Sequence, residues 1–277
     1  MDQTINVTEM RAFYARLMAV ASGSDDHRLE RVFESVPREA FLGAGPWKIR
    51  LNERYIETPS ANPVFLYQNS LVALDAPKGI NNGEPFLHAL WIGAVAPKSG
   101  ETIVHIGAGT GYYTAILSML ALPNGHVHAF EIEPLLARRA SDNLAPFEGV
   151  NVVQGDATEL PLPGCDLIYV NAGVVSPPGS WLKALRPGGR IVFPWRPSLH
   201  LGVALMMTRA KERFTVQLLG SAWFIPCVGA SDPACCVKTP TPLRARSIST
   251  AWLIEDRAPD DTAVAVCRDV WFSDRLE

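Results

Sequence analysis

The period of apolar residues changes several times along this chain, and each change marks an element. Over Val7–Ala21 apolar positions recur at helical spacing. A second helix is predicted over 26–35, stopping ahead of Pro37 because proline disfavours a helical residue before it. The two read as a helical cap. Over 43–82 short apolar runs are broken by Pro, Asn and Gly, which predicts long loops around one or two short strands. Pro85 then opens an apolar helix over 86–94. From Thr102 the pattern alternates between strands at 103–106, 126–131, 151–154, 167–171 and 190–194 and helices at 112–122, 134–144 and 180–185. Such alternation predicts an α/β fold with a Rossmann-like, mostly parallel sheet. Segments 201–209 and 214–220 leave no room for a helix and predict a C-terminal antiparallel hairpin turning near 210–213. The last stretch opens as a Pro-rich loop and holds strand-like runs at 251–254 and 263–266. The expected division is a cap with substrate loops over 1–92, a cofactor-binding core over 93–230 and an extension over 231–277.

At 277 residues the chain is long enough for a full α/β core. A net charge of -3 without a Lys or Arg block gives no electrostatic reason for a nucleic-acid or membrane-surface partner. Glu9, Arg11 and Arg16 interrupt the first apolar run, and no stretch approaches the roughly 20 apolar residues of a membrane span, so a cytoplasmic protein is expected. The cysteines, Cys165, Cys227, Cys235, Cys236 and Cys267, are odd in number and lack Cys-x-x-Cys spacing. Reduced structural thiols are the expectation, and no metal is expected, since no histidine lies near Cys227, Cys235 and Cys236.

The candidate chemistry starts at Gly107-Ala108-Gly109-Thr110-Gly111, where a predicted strand breaks into a helix. Glycines there let the backbone and its amide groups approach a ligand. A dinucleotide pattern would place a third glycine where Tyr112 stands, which argues against a pyrophosphate. Glu131 ends the second strand, where a carboxylate accepts hydrogen bonds from two ribose hydroxyls. Asp156 follows the third, where one accepts from an adenine amino group. Ala108, Ile132 and Ala157 flank these positions and are counted with them. In an open α/β sheet the ligand sits at the carboxyl ends of the strands, where Gly107, Glu131 and Asp156 all fall.

In this pattern the chain resembles the class I S-adenosylmethionine-dependent methyltransferases. The resemblance implies S-adenosylmethionine as cofactor and a methyl-transfer site near Asn171, which closes the fourth strand. Four further segments resemble the protein-L-isoaspartate O-methyltransferases in order and rough spacing. They are Val36-Pro37-Arg38-Glu39-Ala40-Phe41, Glu84-Pro85-Phe86-Leu87-His88-Ala89, Leu185-Arg186-Pro187-Gly188-Gly189-Arg190 and Phe224-Ile225-Pro226-Cys227-Val228-Gly229. The likeness covers about Leu29 to Gly229 and implies carboxyl methylation of an isoaspartyl acceptor.

One departure stands out. The family carries Thr-Ile-Ser-x-Pro, with its serine beside the reacting carboxylate, and alignment on Pro85 puts Asn81, Asn82 and Gly83 there. Asn81, Asn82, Gly83 and His88 are therefore the candidates for positioning the acceptor. Two other readings stay open: a methyltransferase for a small natural product or modified peptide, and an S-adenosylmethionine-binding protein without catalysis. A carboxylate is ionised at neutral pH, so no general base is needed and alignment with exclusion of water carries the reaction. His88 would serve as a base only for a hydroxyl or amine acceptor and otherwise packs. Tyr112 and Tyr113 either line the cofactor or face the core. Arg50, Arg54 and Lys78 either receive an acceptor carboxylate or stand as solvated surface charges.

Overall fold

Helix α1 (Val7–Ala21) starts where Asn6 Oδ1 accepts a hydrogen bond from Thr8 N at 2.9 Å, and it buries Tyr14, Ala15 and Met18 along one face. The chain is described here, over residues 6–275, by a computed structural model; the outermost positions of the expected cap and extension, 1–5 and 276–277, lie outside the described residues. Helix α2 (Arg28–Ser35) buries Leu29, Val32 and Phe33, the spacing of a helix with one apolar stripe. A 3₁₀ turn over Arg38–Phe41 follows.

Segment 43–82 is more regular than its sequence suggests. It forms strands β1 (Lys48–Leu51), β2 (Arg54–Glu57), β3 (Leu71–Asp75) and β4 (Ile80–Asn81), an antiparallel sheet in the order β2-β1-β3-β4. Leu42, Trp47, Leu66 and Val72 bury together with it, and Leu74 packs on them. Strands this short give no readable alternation, which is why one or two were expected. Helix α3 (Pro85–Val95) carries proline in its first turn, where the missing N–H has no helical partner anyway.

Strand β5 (Thr102–Ile106) precedes helix α4 (Tyr112–Ala121), strand β6 (His126–Glu131), helix α5 (Pro134–Leu144) and strand β7 (Val150–Gln154). Later come β8 (Cys165–Val170), α6 (Gly179–Ala184), β9 (Leu185–Ser198), β10 (Leu201–Ala210), β11 (Arg213–Ser221), β12 (Cys236–Lys238), α7 (Pro242–Ala245), β13 (Thr250–Leu253), β14 (Ala263–Cys267) and β15 (Val270–Ser273). The chain divides into two compact units, Met1–Glu101 with Ala108–Gln154 and Thr102–Gly107 with Gly155–Glu277. In the first, β6 and β7 run parallel from Val127↔Val150 to Glu131↔Gln154. In the second the strands follow the order β12-β14-β15-β13-β11-β10-β9-β8-β5, parallel between β5, β8 and β9 and antiparallel from β9 outward.

The predicted hairpin is β10 and β11, turning at Lys211, whose φ is 57°. It does not end the sheet. β13 pairs with β11, and β15, β14 and β12 continue outward. Trp252 and Trp271 stack there at 4.7 Å beneath the Arg257 guanidinium. The register of β12 on β14 sets Cys236 opposite Cys267, and the two form a disulfide, which corrects the expectation of five reduced thiols. Cys165, Cys227 and Cys235 are free and buried. Among the described residues no helix is long and apolar enough to cross a membrane.

Candidate functional site

The glycine loop turns β5 into α4 with φ values of 77°, 59° and 97° at Gly107, Gly109 and Gly111. Gly111 is the N-cap of α4, and a Cβ on it would meet Leu144 Cδ1 at 2.7 Å, so both conformation and space require glycine. Ala108 N donates to Phe130 O at 3.1 Å, and Gly109 N to Glu131 Oε2 at 2.6 Å. The other oxygen, Oε1, accepts from Glu133 N at 2.9 Å. Glu131, read from sequence as a ribose acceptor, thus also braces the loop, and each oxygen keeps lone-pair capacity for a hydroxyl.

Burial pushes the Glu131 carboxyl above its usual range, against the lowering pull of the Glu133 and Gly109 amides. A folded-state pKa above the unfolded one favours the folded protein fully below the unfolded value, about 4.3, and that contribution is lost as pH rises through the folded value. Urea denaturation across this window should therefore show wild-type stability falling with pH relative to Glu131→Gln. A difference independent of pH would contradict the assignment.

In the second unit, Asp156 Oδ1 accepts from both N and Oγ1 of Thr158 at 2.8 Å, which fixes the carboxylate and leaves Oδ2 over. Ala157 is buried, and its carbonyl accepts from Trp181 Nε1 at 2.9 Å. Asn171 N donates to Ile106 O at 2.8 Å, and the Asn171 side chain stands 2.8 Å from His105 Nε2.

The acceptor candidates separate clearly. Asn81 is engaged on both edges of its amide, Oδ1 accepting from Tyr55 OH at 3.0 Å and Nδ2 donating to Gly79 O at 2.8 Å. Asn82 is held by its backbone, N to Val72 O at 2.8 Å; its side chain is buried, and Nδ2 has no hydrogen-bond partner among the described residues. Gly83 has φ 67°, and a Cβ there would lie 2.3 Å from His88 Nε2. His88 is fully buried and stacks on Tyr113 with centroids 3.8 Å apart, the geometry of a packed residue. Tyr112 and Tyr113 are buried as well. Half-buried Arg50 pairs with exposed Glu53, and exposed Lys78 pairs with half-buried Glu133, so these two read as surface charges, and Arg54 is exposed.

Two residues escaped the sequence reading. Arg38 is fully buried, and its guanidinium donates to Leu66 O at 2.6 Å, Gln68 O at 3.2 Å and Ser70 O at 2.8 Å. Within that clasped turn Asn69 Nδ2 donates to Glu84 Oε1 at 2.8 Å, and its Oδ1 accepts from Phe86 N at 2.9 Å. Arg38 thereby sets the entry to α3, next to Gly83. The Val-Pro-Arg segment marked the residue but not this role.

A model of the protein-L-isoaspartate(D-aspartate) O-methyltransferase family matches residues 21–232. Protein-L-isoaspartate O-methyltransferase 2 of Marinobacter nauticus is 30% identical over 230 residues, covering 81% of this chain and 95% of the relative. The protein-L-isoaspartate O-methyltransferase of Protochlamydia amoebophila is 32% identical over 215 residues, 76% of this chain and 92% of its own. Among solved structures, a protein-L-isoaspartate O-methyltransferase matches with TM-score 0.69 at 20% identity, over 95% of this chain and 86% of the other. A putative one from Plasmodium falciparum, in complex with S-adenosyl-L-homocysteine, matches with TM-score 0.63 at 16% identity, over 78% and 97%. These two likenesses establish the fold, that of the class I methyltransferases.

Proposed function

The chain belongs to the protein-L-isoaspartate(D-aspartate) O-methyltransferase family, enzymes that methylate isoaspartyl carboxylates with S-adenosylmethionine, and on that premise we propose how its own residues divide the work. Bound S-adenosylmethionine supplies a methyl group already activated on a sulfonium. The residues present fit it: a glycine turn closed to any side chain at Gly111, a buried carboxylate at Glu131 and a fixed carboxylate at Asp156. We assign the ribose to Glu131, the adenine amino group to Asp156, the loop contact to Gly107, Ala108, Gly109 and Gly111, and flanking contacts to Ile132, Ala157 and Asn171. The cap and loops over 1–92 serve the acceptor, and 231–277 extends the core.

The reading of the acceptor rests on one observation: the buried Nδ2 of Asn82, without a hydrogen-bond partner among the described residues, in the segment where the family keeps its serine. An amide donor does what a hydroxyl donor would, orienting an acceptor oxygen by a hydrogen bond to a charged group. His88 stays a packing residue, as no proton has to be moved from a carboxylate. Asn82→Ala should lower kcat/KM for an isoaspartyl peptide by about 1.5–3 kcal/mol, roughly ten- to a hundred-and-fifty-fold, with unchanged affinity for S-adenosylhomocysteine. Unchanged kcat/KM would remove the assignment.

Restoring the serine at this place should not help. In Gly83→Ser the new Cβ enters the space of His88 Nε2 at a backbone angle that L-residues resist. The expected result is lower activity and a lower melting temperature than wild type; higher activity would mean that the loop relaxes freely. A protein or peptide carrying an isoaspartyl carboxylate is the acceptor we propose. We also place the protein in the cytoplasm, on its three buried free thiols, whereas the Cys236–Cys267 bond pulls towards an oxidising compartment; cell fractionation decides.

A further inference from the structure

Strands β5 and β8 pair His105 with Tyr169 and Ile106 with Val170, so Asn171, one residue past β8, reaches the end of β5. Its carboxamide turns back along the pair. Asn171 Nδ2 stands 2.8 Å from His105 Nε2, and an amide nitrogen only donates, so that imidazole nitrogen is the unprotonated acceptor of a neutral ring. The surroundings enforce neutrality. His105 is fully buried inside the sheet, with the Tyr169 ring edge-on at 5.6 Å, and burial takes its pKa down to about 3. With Nδ2 held by the ring, Asn171 Oδ1 is fixed on the opposite edge of the amide. That oxygen is buried and has no hydrogen-bond partner among the described residues.

A buried carbonyl oxygen without a donor is rare in a folded protein and points to a ligand atom. Gly107, the first residue of the glycine loop, lies against Asn171; a Cβ on it would touch the Asn171 backbone and Cβ at 3.5 Å. The ligand of that loop offers few donors. With the ribose on Glu131 and the adenine on Asp156, the donor left over is the ammonium group of the amino-acid part, while the sulfonium has no proton to give and the carboxylate would be repelled. We propose that His105 is a positioning residue that locks the Asn171 carboxamide with Oδ1 presented to the cofactor's ammonium group. This rests on the cofactor reading above and goes beyond it by naming the residue that sets the amide's orientation.

The test is calorimetry with two probes, S-adenosylhomocysteine and 5′-methylthioadenosine, which keeps the nucleoside and lacks the amino-acid part. His105→Leu should weaken S-adenosylhomocysteine about tenfold or more and leave 5′-methylthioadenosine within about twofold. Asn171→Ala should show the same selective loss, and His105→Leu added to it should cost nothing further, because the two act as one unit. His105→Gln, which retains a side-chain acceptor, should recover part of the affinity. Equal weakening of both probes, or losses that add in the double variant, would overturn the positioning role. If His105→Leu does not fold, Asn171→Ala alone decides, and unchanged S-adenosylhomocysteine affinity overturns the proposal. Wild-type protein that binds S-adenosylhomocysteine while its variants bind equally well sinks only this inference; wild-type protein that does not bind it sinks the cofactor reading too.

Discussion

Arg38→Met is expected to lower unfolding stability by about 2–4 kcal/mol, because three hydrogen bonds from a charged group, about 1.5–3 kcal/mol each, are lost and backbone donors and water recover part of them. The guanidinium is fully buried and bonds three carbonyls, those of Leu66, Gln68 and Ser70. Methionine fills a similar volume but offers no donor; Leu66 O and Gln68 O would keep the backbone N–H groups of Gln68 and Ser70, while Ser70 O would lose its guanidinium partner and the turn its clasp. Lysine would rescue part of the loss, because a single ammonium cannot reproduce the fork that reaches Leu66 O from one nitrogen and Ser70 O from the other. Activity should fall further than the folded fraction does, since Asn69 in the clasped turn fixes both Glu84 and the start of α3. Urea denaturation measures the first effect, and a loss below about 1 kcal/mol would show that water takes over the carbonyls.

Glu131→Ala is the second large effect, and it falls on the cofactor. The carboxylate is assigned two ribose hydroxyls and already holds the Gly109 and Glu133 amides. Hydrogen bonds to a charged group contribute about 1.5–3 kcal/mol each, so losing the ribose contacts should weaken S-adenosylhomocysteine by about 3–5 kcal/mol, two to nearly four decades in Kd. Glu131→Gln retains an acceptor and should lose less. Calorimetry separates the outcomes: an alanine variant that binds within threefold of wild type would move the ribose elsewhere.

These effects trace back unequally to the sequence. Helix α1, strand β6 and helix α5 were legible to the residue, because each carries an unbroken period long enough to count. β12, with three residues, and β15, tucked behind a tight turn, were not, since two or three apolar residues fit any element. At the site, the glycine loop and Glu131 could be proposed from sequence because their chemistry is local in sequence or sits at a strand end. Asn81 and Asn82 looked equivalent until Tyr55 and Gly79 were seen to occupy one and leave the other. His105 with Asn171, and Cys236 with Cys267, are pairs made by strand register across long separations. No local pattern announces them.

The central claim is carboxyl methylation of isoaspartyl residues despite Gly83 in the serine's place. The most direct measurement gives the purified protein methyl-labelled S-adenosylmethionine with two peptides that differ only in carrying isoaspartate or ordinary aspartate at one position. Labelled methyl ester is expected on the isoaspartyl peptide and none above background on the other. Intact binding of S-adenosylhomocysteine with no transfer to the isoaspartyl peptide, or equal transfer to both, would contradict it.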